Sequence, residues 1–124
     1  IQKKENMAVL FISHDLSVVE HISDRVMVMY LGKAVEEGEK KGVFSDPIHP
    51  YTKALLASRP RERPWEEPSR VRLKGELPNA LKLPDGCRFW PRCLEYQAGL
   101  CDKCEPEWKD QGNGHRAACS LVGT

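Results

Sequence analysis

The first 86 residues contain no cysteine, and all five cysteines lie between Cys87 and Cys119. No apolar run approaches the roughly 20 residues that a membrane-spanning helix needs. The longest, "AVLFI" and "VMVMYL", are of strand length. Charge of one sign is also lacking: the formal net charge of +1 gives no pointer to nucleic acid or to an acidic partner. No secretory signal is visible, and an odd cysteine count without one argues against a secreted disulfide scaffold. A cytosolic metal or cluster site is the better use of these thiols. The 124 residues suit one domain, or a small domain plus a tail. They open on Ile1 and the polar run "QKKEN" rather than on methionine, and read as a fragment or a trimmed chain.

What is present begins with residues 8–12, "AVLFI". This continuous apolar run reads as a strand buried on both faces, as in a parallel sheet. Asp15 is placed to cap a helix in which Leu16, Val19, Ile22 and Val26 recur at helical spacing. "RVMVMYLGKAVEEG" then reads as a strand, a turn at Leu31-Gly32-Lys33, and a second strand ending at Gly38. Strand, helix and hairpin together predict an α/β fold. Pro50 suits a helix N-terminus, with Tyr51, Ala54, Leu55 and Ser58 on one face and Pro60 as the stop. The charged, proline-rich stretch at 59–72 reads as a linker. From Leu73 the chain is short of aliphatic residues and dense in Cys, Pro and Gly, so something besides packing is expected to hold it.

His14 stands where the apolar run ends and the helix begins, and strand ends in α/β sheets are where catalytic groups are displayed. The plainer reading is a helix cap or a filled polar gap. Asp15 is fully explained as an N-cap, and His21 as a solvated helix residue.

The string "VLFISHDLSVVEHISDRVMVMYLGKAVEEG" resembles the end of an ABC-transporter ATPase domain, in which an apolar strand leads to a switch histidine, an Asp, a helix and a hairpin. "FSDPIHPYTKALLASRP" resembles the subfamily serving oligopeptide and dipeptide importers, as does the tail "GCRFWPRCLEYQAGLCDKCEPEWKDQGNGHRAAC". The resemblance implies an α/β fold that is the end of a P-loop ABC ATPase domain, followed by an irregular Cys-rich C-terminal extension. It divides the chain into the domain remnant (1–44), a helical "HPYT" extension (45–60), the linker (61–72) and the Cys-rich tail (73–124). It implies that His14 is the switch histidine that bonds the γ-phosphate of ATP. His49 is expected to be structural, its ring docked at a helix start. The G-x-x-x-x-G-K-[ST] phosphate loop, an "LSGGQ"-like segment and a strand ending in Asp-Glu for magnesium are missing from these residues. ATP and Mg therefore belong to the full-length subunit, and the fragment alone is expected to be inactive.

The tail's resemblance implies that Cys87, Cys93, Cys101 and Cys119 ligate an iron–sulfur cluster of the 4Fe–4S type. Phe89, Trp90 and Pro91 are expected to exclude water from it, and Arg88, Arg92 and Arg116 to offset its negative charge. Cys104 departs from the family pattern and creates Cys101-x-x-Cys104, a spacing that also suits zinc. Zinc would take Cys87, Cys93, Cys101 and Cys104 and leave Cys119 free; a third option leaves the thiols unligated, or paired as adventitious disulfides after isolation in air. Intervening lengths of five, seven and seventeen residues favour the cluster, because structural zinc sites use two tight knuckles. The cluster's expected use is structural, supplying folding free energy that a small core lacks.

The functional reading is the C-terminal segment of an ATPase subunit powering import of peptides or related small solutes. The implied partners are a second ABC ATPase subunit and two integral-membrane permease subunits, with a solute-binding protein acting indirectly and no nucleic acid. The implied location is peripheral, at the cytoplasmic face of the membrane. The rivals are a stand-alone iron–sulfur or zinc module, and a regulatory domain that docks on a transporter without hydrolysing anything.

Overall fold

The computed structural model describes residues 2–58 and 81–122. The linker expected at 61–72 and the start of the tail lie outside the described residues. A single turn, α1 (Gln2–Glu5), opens the chain. The Asp15 carboxylate accepts from the N–H groups of Ser17 at 3.1 Å and Val18 at 3.3 Å, and α2 runs Leu16–Ile22 as that cap requires. The Ser23 N–H closes the helix on the Val19 carbonyl, so Val26, expected on the helical face, belongs instead to β1 (Arg25–Tyr30).

β1 turns into β2 (Lys33–Glu39) through Leu31 and Gly32, both at positive φ (47° and 78°). That turn carries the twist which antiparallel partners need. Val28 faces Glu36 but Met29 faces Ala34, so Val35 is the extra residue of a β-bulge. Strict alternation would turn one of any two neighbours outward. Across the bulge Val35 and Glu36 are both buried. Two short helices follow, α3 (Lys40–Ser45) and α4 (Pro50–Ala57). In the tail a 3₁₀ turn spans Trp90–Arg92, and β3 (Trp108–Asp110) pairs with β4 (Arg116–Ala118).

The sheet order is β1-β2-β4-β3, antiparallel at every pairing. Glu36 lies opposite Ala117 and Glu37 opposite Arg116, so the cysteine-rich tail contributes half the strands of the sheet that the first hairpin starts. Packing contributes more to the tail than its composition suggests. Phe89 is buried against Tyr30 and Val35, edge-on to the Tyr30 ring at 5.2 Å between centroids, and Tyr51 from α4 joins the same cluster. Aromatic groupings of this kind add to the free energy of burial.

Residues 8–12 depart from the expectation of a buried strand. They adopt no regular structure, with Leu10 91% and Ile12 89% exposed. A strand's donors and acceptors need a neighbouring strand, and no described residue pairs with this run. Among the described residues the architecture is a small mixed α/β unit with an antiparallel sheet, and no helix is long and apolar enough to cross a membrane.

At the centre lies Glu36, with no exposed surface at all. One carboxylate oxygen accepts from the Ile48 N–H at 2.9 Å and contacts His115 Nε2 at 2.7 Å; the other accepts from the His49 N–H at 2.9 Å. The His115 ring fits because the facing positions are glycines: a Cβ on Gly38 would come within 3.0 Å of it, and one on Gly42 within 3.2 Å. A buried carboxylate is tolerable only when its lone pairs are occupied, and removing it strands its donors. Glu36→Ala should therefore lower unfolding free energy by about 3 kcal/mol or more, with Glu36→Gln intermediate, as read by denaturant titration. A loss within ~0.5 kcal/mol for Glu36→Ala would show that the carboxylate is not a structural hub.

Candidate functional site

Four of the five cysteines converge. Cys87, Cys93, Cys101 and Cys119 line one cavity of about 10 Å³, together with His49, Pro50, Phe89, Trp90, Ser120 and Leu121. Each cysteine is delivered by a tight turn. The Trp90 N–H returns to the Cys87 carbonyl at 3.2 Å, and the Cys93 N–H to that of Trp90 at 3.2 Å. The Cys101 N–H closes on the Gln97 carbonyl at 3.0 Å, and the Val122 N–H on that of Cys119 at 3.2 Å. The first and third thiol segments are tied together by the Cys87 N–H donating to the Cys101 carbonyl at 2.9 Å.

That tie depends on Gly86. Its φ is +74°, and a Cβ there would stand 2.4 Å from the Cys101 carbonyl oxygen. No side chain fits between these two backbones.

None of the five cysteines is in a disulfide. Burial pushes the Cys93 thiol up to about 11, and raises Cys87 and Cys119 as well. Backbone amides oppose this in part: Phe89 and Trp90 donate to Cys87, Glu95 to Cys93, and Leu121 and Val122 to Cys119. In three cases the donor lies two residues beyond the sulfur. Burial thus favours the neutral thiol at Cys87, Cys93 and Cys119, while the amides stand ready to stabilise their thiolates. Binding a metal group here would release protons.

No three of the described His, Cys, Asp and Glu side chains are grouped as ligands of a single metal ion. Metal–thiolate bonds of ~2.3 Å are far shorter than non-bonded contacts. A group bonded to four sulfurs would therefore occupy their contact shells as well as the cavity. Four thiols on one cavity match the number and type of donors that a four-iron cluster takes.

The other expected residues fall as follows. Cys104 is exposed and is not part of the cavity lining, whereas Cys119 is buried within it. Phe89 and Trp90 line the cavity, and Pro91 does not. Two arginines expected to offset cluster charge are engaged elsewhere. The Arg88 guanidinium donates to the Leu31 carbonyl, while Arg116 pairs with Glu37 at 2.5 Å and stacks over Trp108 at 4.7 Å. His14 is exposed, on a bend where Ser13 Oγ accepts from the Asp15 N–H at 3.0 Å, and lies outside the cysteine cavity. His49 caps α4: its Nδ1 accepts from the Tyr51 N–H at 3.0 Å, and burial lowers its pKa to about 4.

The family model described as the oligopeptide/dipeptide transporter, C-terminal region, matches residues 35–101. The chain belongs to that family. The match takes in Glu36, His49 and the first three cavity cysteines, and ends at Cys101. Nearly the whole chain is also similar to curated relatives. It is 49% identical to the dipeptide transport ATP-binding protein DppF of Escherichia coli (strain K12), over 98% of this chain and 36% of the relative. To the oligopeptide transport ATP-binding protein AppF of Bacillus subtilis (strain 168) it is 48% identical, over 98% of this chain and 37% of the relative. To the oligopeptide transport ATP-binding protein OppF of Haemophilus influenzae it is 45% identical, over 98% and 37%. The chain spans about a third of the length of the curated relatives it matches.

Glu36, Gly86 and His115 escaped the sequence reading. The doublet Glu36-Glu37 in a strand carried one signal, since one of two neighbours must face inward. Gly86 directly before Cys87 carried another. Gly86→Ala should lower unfolding free energy by at least ~2 kcal/mol, from positive φ plus backbone collision. Gly99→Ala, at φ +83° with open space around it, should cost only ~1 kcal/mol. Equal losses in denaturant titrations would refute the close approach at Gly86.

Proposed function

We propose that this chain is the C-terminal segment of an ATP-binding subunit that powers peptide import by ATP hydrolysis. The observation that carries the reading is the similarity of 98% of the chain to ATP-binding proteins of dipeptide and oligopeptide transport. Magnesium and the phosphate loop belong, in this reading, to the remainder of the full-length subunit. The subunit works with a second ATPase subunit and two membrane permeases at the cytoplasmic face, and a solute-binding protein delivers the peptide from the far side.

In that setting His14 is the switch residue. The bend at Ser13–Asp15 is fixed by the Asp15 cap, so the imidazole is presented at the head of α2 without a flexible stem. An imidazole N–H held in this way bonds the γ-phosphate and helps align the attacking water. Phosphoryl transfer is accelerated by donors positioned on charge that spreads over the equatorial oxygens. In the full-length subunit His14→Ala should lower ATP turnover about a hundredfold or more, while nucleotide binding stays near wild type. Near-normal turnover would remove His14 from this role.

The cysteine cavity holds a 4Fe–4S cluster in the same reading, with Cys87, Cys93, Cys101 and Cys119 as ligands. When bound, the cluster supplies cross-linking free energy between the turns that carry the four cysteines. The protein's own part is to orient the thiols by turns, to direct amides at three of the sulfurs, and to cover them with Phe89 and Trp90. Cys87→Ser should deplete iron in protein purified without oxygen, and Cys104→Ser should leave it unchanged. Loss of iron in Cys104→Ser with retention in Cys87→Ser would overturn the ligand set.

A further inference from the structure

His49 lines the cavity with a buried polar side-chain atom that its helix-capping role leaves unused. It is 1% exposed. Its backbone N–H is held by Glu36, and its Nδ1 accepts from the Tyr51 N–H, which fixes both the ring's place and its tautomer. A nitrogen that accepts carries no hydrogen, so in the neutral ring the proton sits on Nε2. That Nε2 is buried and, among the described residues, has no hydrogen-bond partner. A buried N–H without an acceptor is costly, and native structures rarely keep one without a use. The ring lines the same cavity as the four thiols and packs beside Phe89 at 5.8 Å between centroids. A sulfur of a bound cluster is the acceptor that this place provides.

We propose that His49 donates a hydrogen bond from Nε2 to a sulfur of the cluster and thereby raises its reduction potential. The proposal rests on the cluster reading above. A donor to sulfur draws electron density from the iron and favours the reduced, more negative form, which is how proteins set iron–sulfur potentials. His49 would then be a tuning residue rather than a ligand. Its geometry is set by α4 and by Glu36, so the helix start and the potential are linked through one ring.

The test uses the full-length protein purified without oxygen, with iron and acid-labile sulfide measured beside an EPR-monitored redox titration. His49→Phe keeps a ring against Phe89 and loses both nitrogens. His49→Asn keeps a side-chain acceptor for the Tyr51 N–H, so the cap survives if His49→Phe fails to fold. Both variants are expected to hold wild-type iron. At a fixed potential their reduced-to-oxidised ratio should fall about tenfold, a shift of ~59 mV for one electron. Full iron with an unchanged potential would overturn the donor role and leave the cluster reading intact. Folded variants that lose iron would overturn it too, by making His49 necessary for holding the cluster rather than tuning it. No iron or sulfide in the wild type would overturn the cluster reading itself, and the donor role with it.

Discussion

A single buried carboxylate ties together segments that lie far apart in the chain. Glu36 reaches the residues ahead of α4 through two backbone amides and the tail through His115, at a sequence separation of 79. Placing a carboxylate there is costly in itself, and only saturation of its oxygens makes it tolerable. The bulge at Val35 turns Glu36 inward, and the glycines at 38 and 42 leave room for the imidazole. The β2–β4 pairing, the seat of His49 and, through them, the cysteine cavity all depend on this arrangement.

The tail is accordingly not a loop held by thiols alone. Its Phe89 packs against both Tyr30 and Tyr51, and its β4 extends the sheet, so the first hairpin forms one wall of the site's support. A cysteine site built this way has its thiols oriented in advance, which would lower the ordering cost of binding any group there. Gly86 serves the same end by letting two thiol-bearing backbones touch.

Much of this was legible in the residues. The hairpin around Leu31-Gly32, the Asp15 cap and the helix start at Pro50 follow local rules that need few neighbours, and each is found where its signal stands. The docking of His49 was likewise visible in "HPY". The pairing of β2 with the tail was not, because nothing local in "RAA" announces a strand or its distant partner. "AVLFI" failed for the opposite reason: its pattern describes a strand with neighbours on both sides, and among the described residues it has none. The roles assigned to Arg88 and Arg116 failed because proximity in sequence to cysteine does not fix direction. Both guanidiniums turn toward other acceptors.

The four converging thiols are proposed to hold a polynuclear iron group rather than a lone ion or nothing. The most direct test is to purify the protein without oxygen and measure iron, acid-labile sulfide and zinc per chain. About four irons and about four sulfides are expected, with no stoichiometric zinc. One zinc without iron, or neither metal after anaerobic reconstitution, would contradict the proposal.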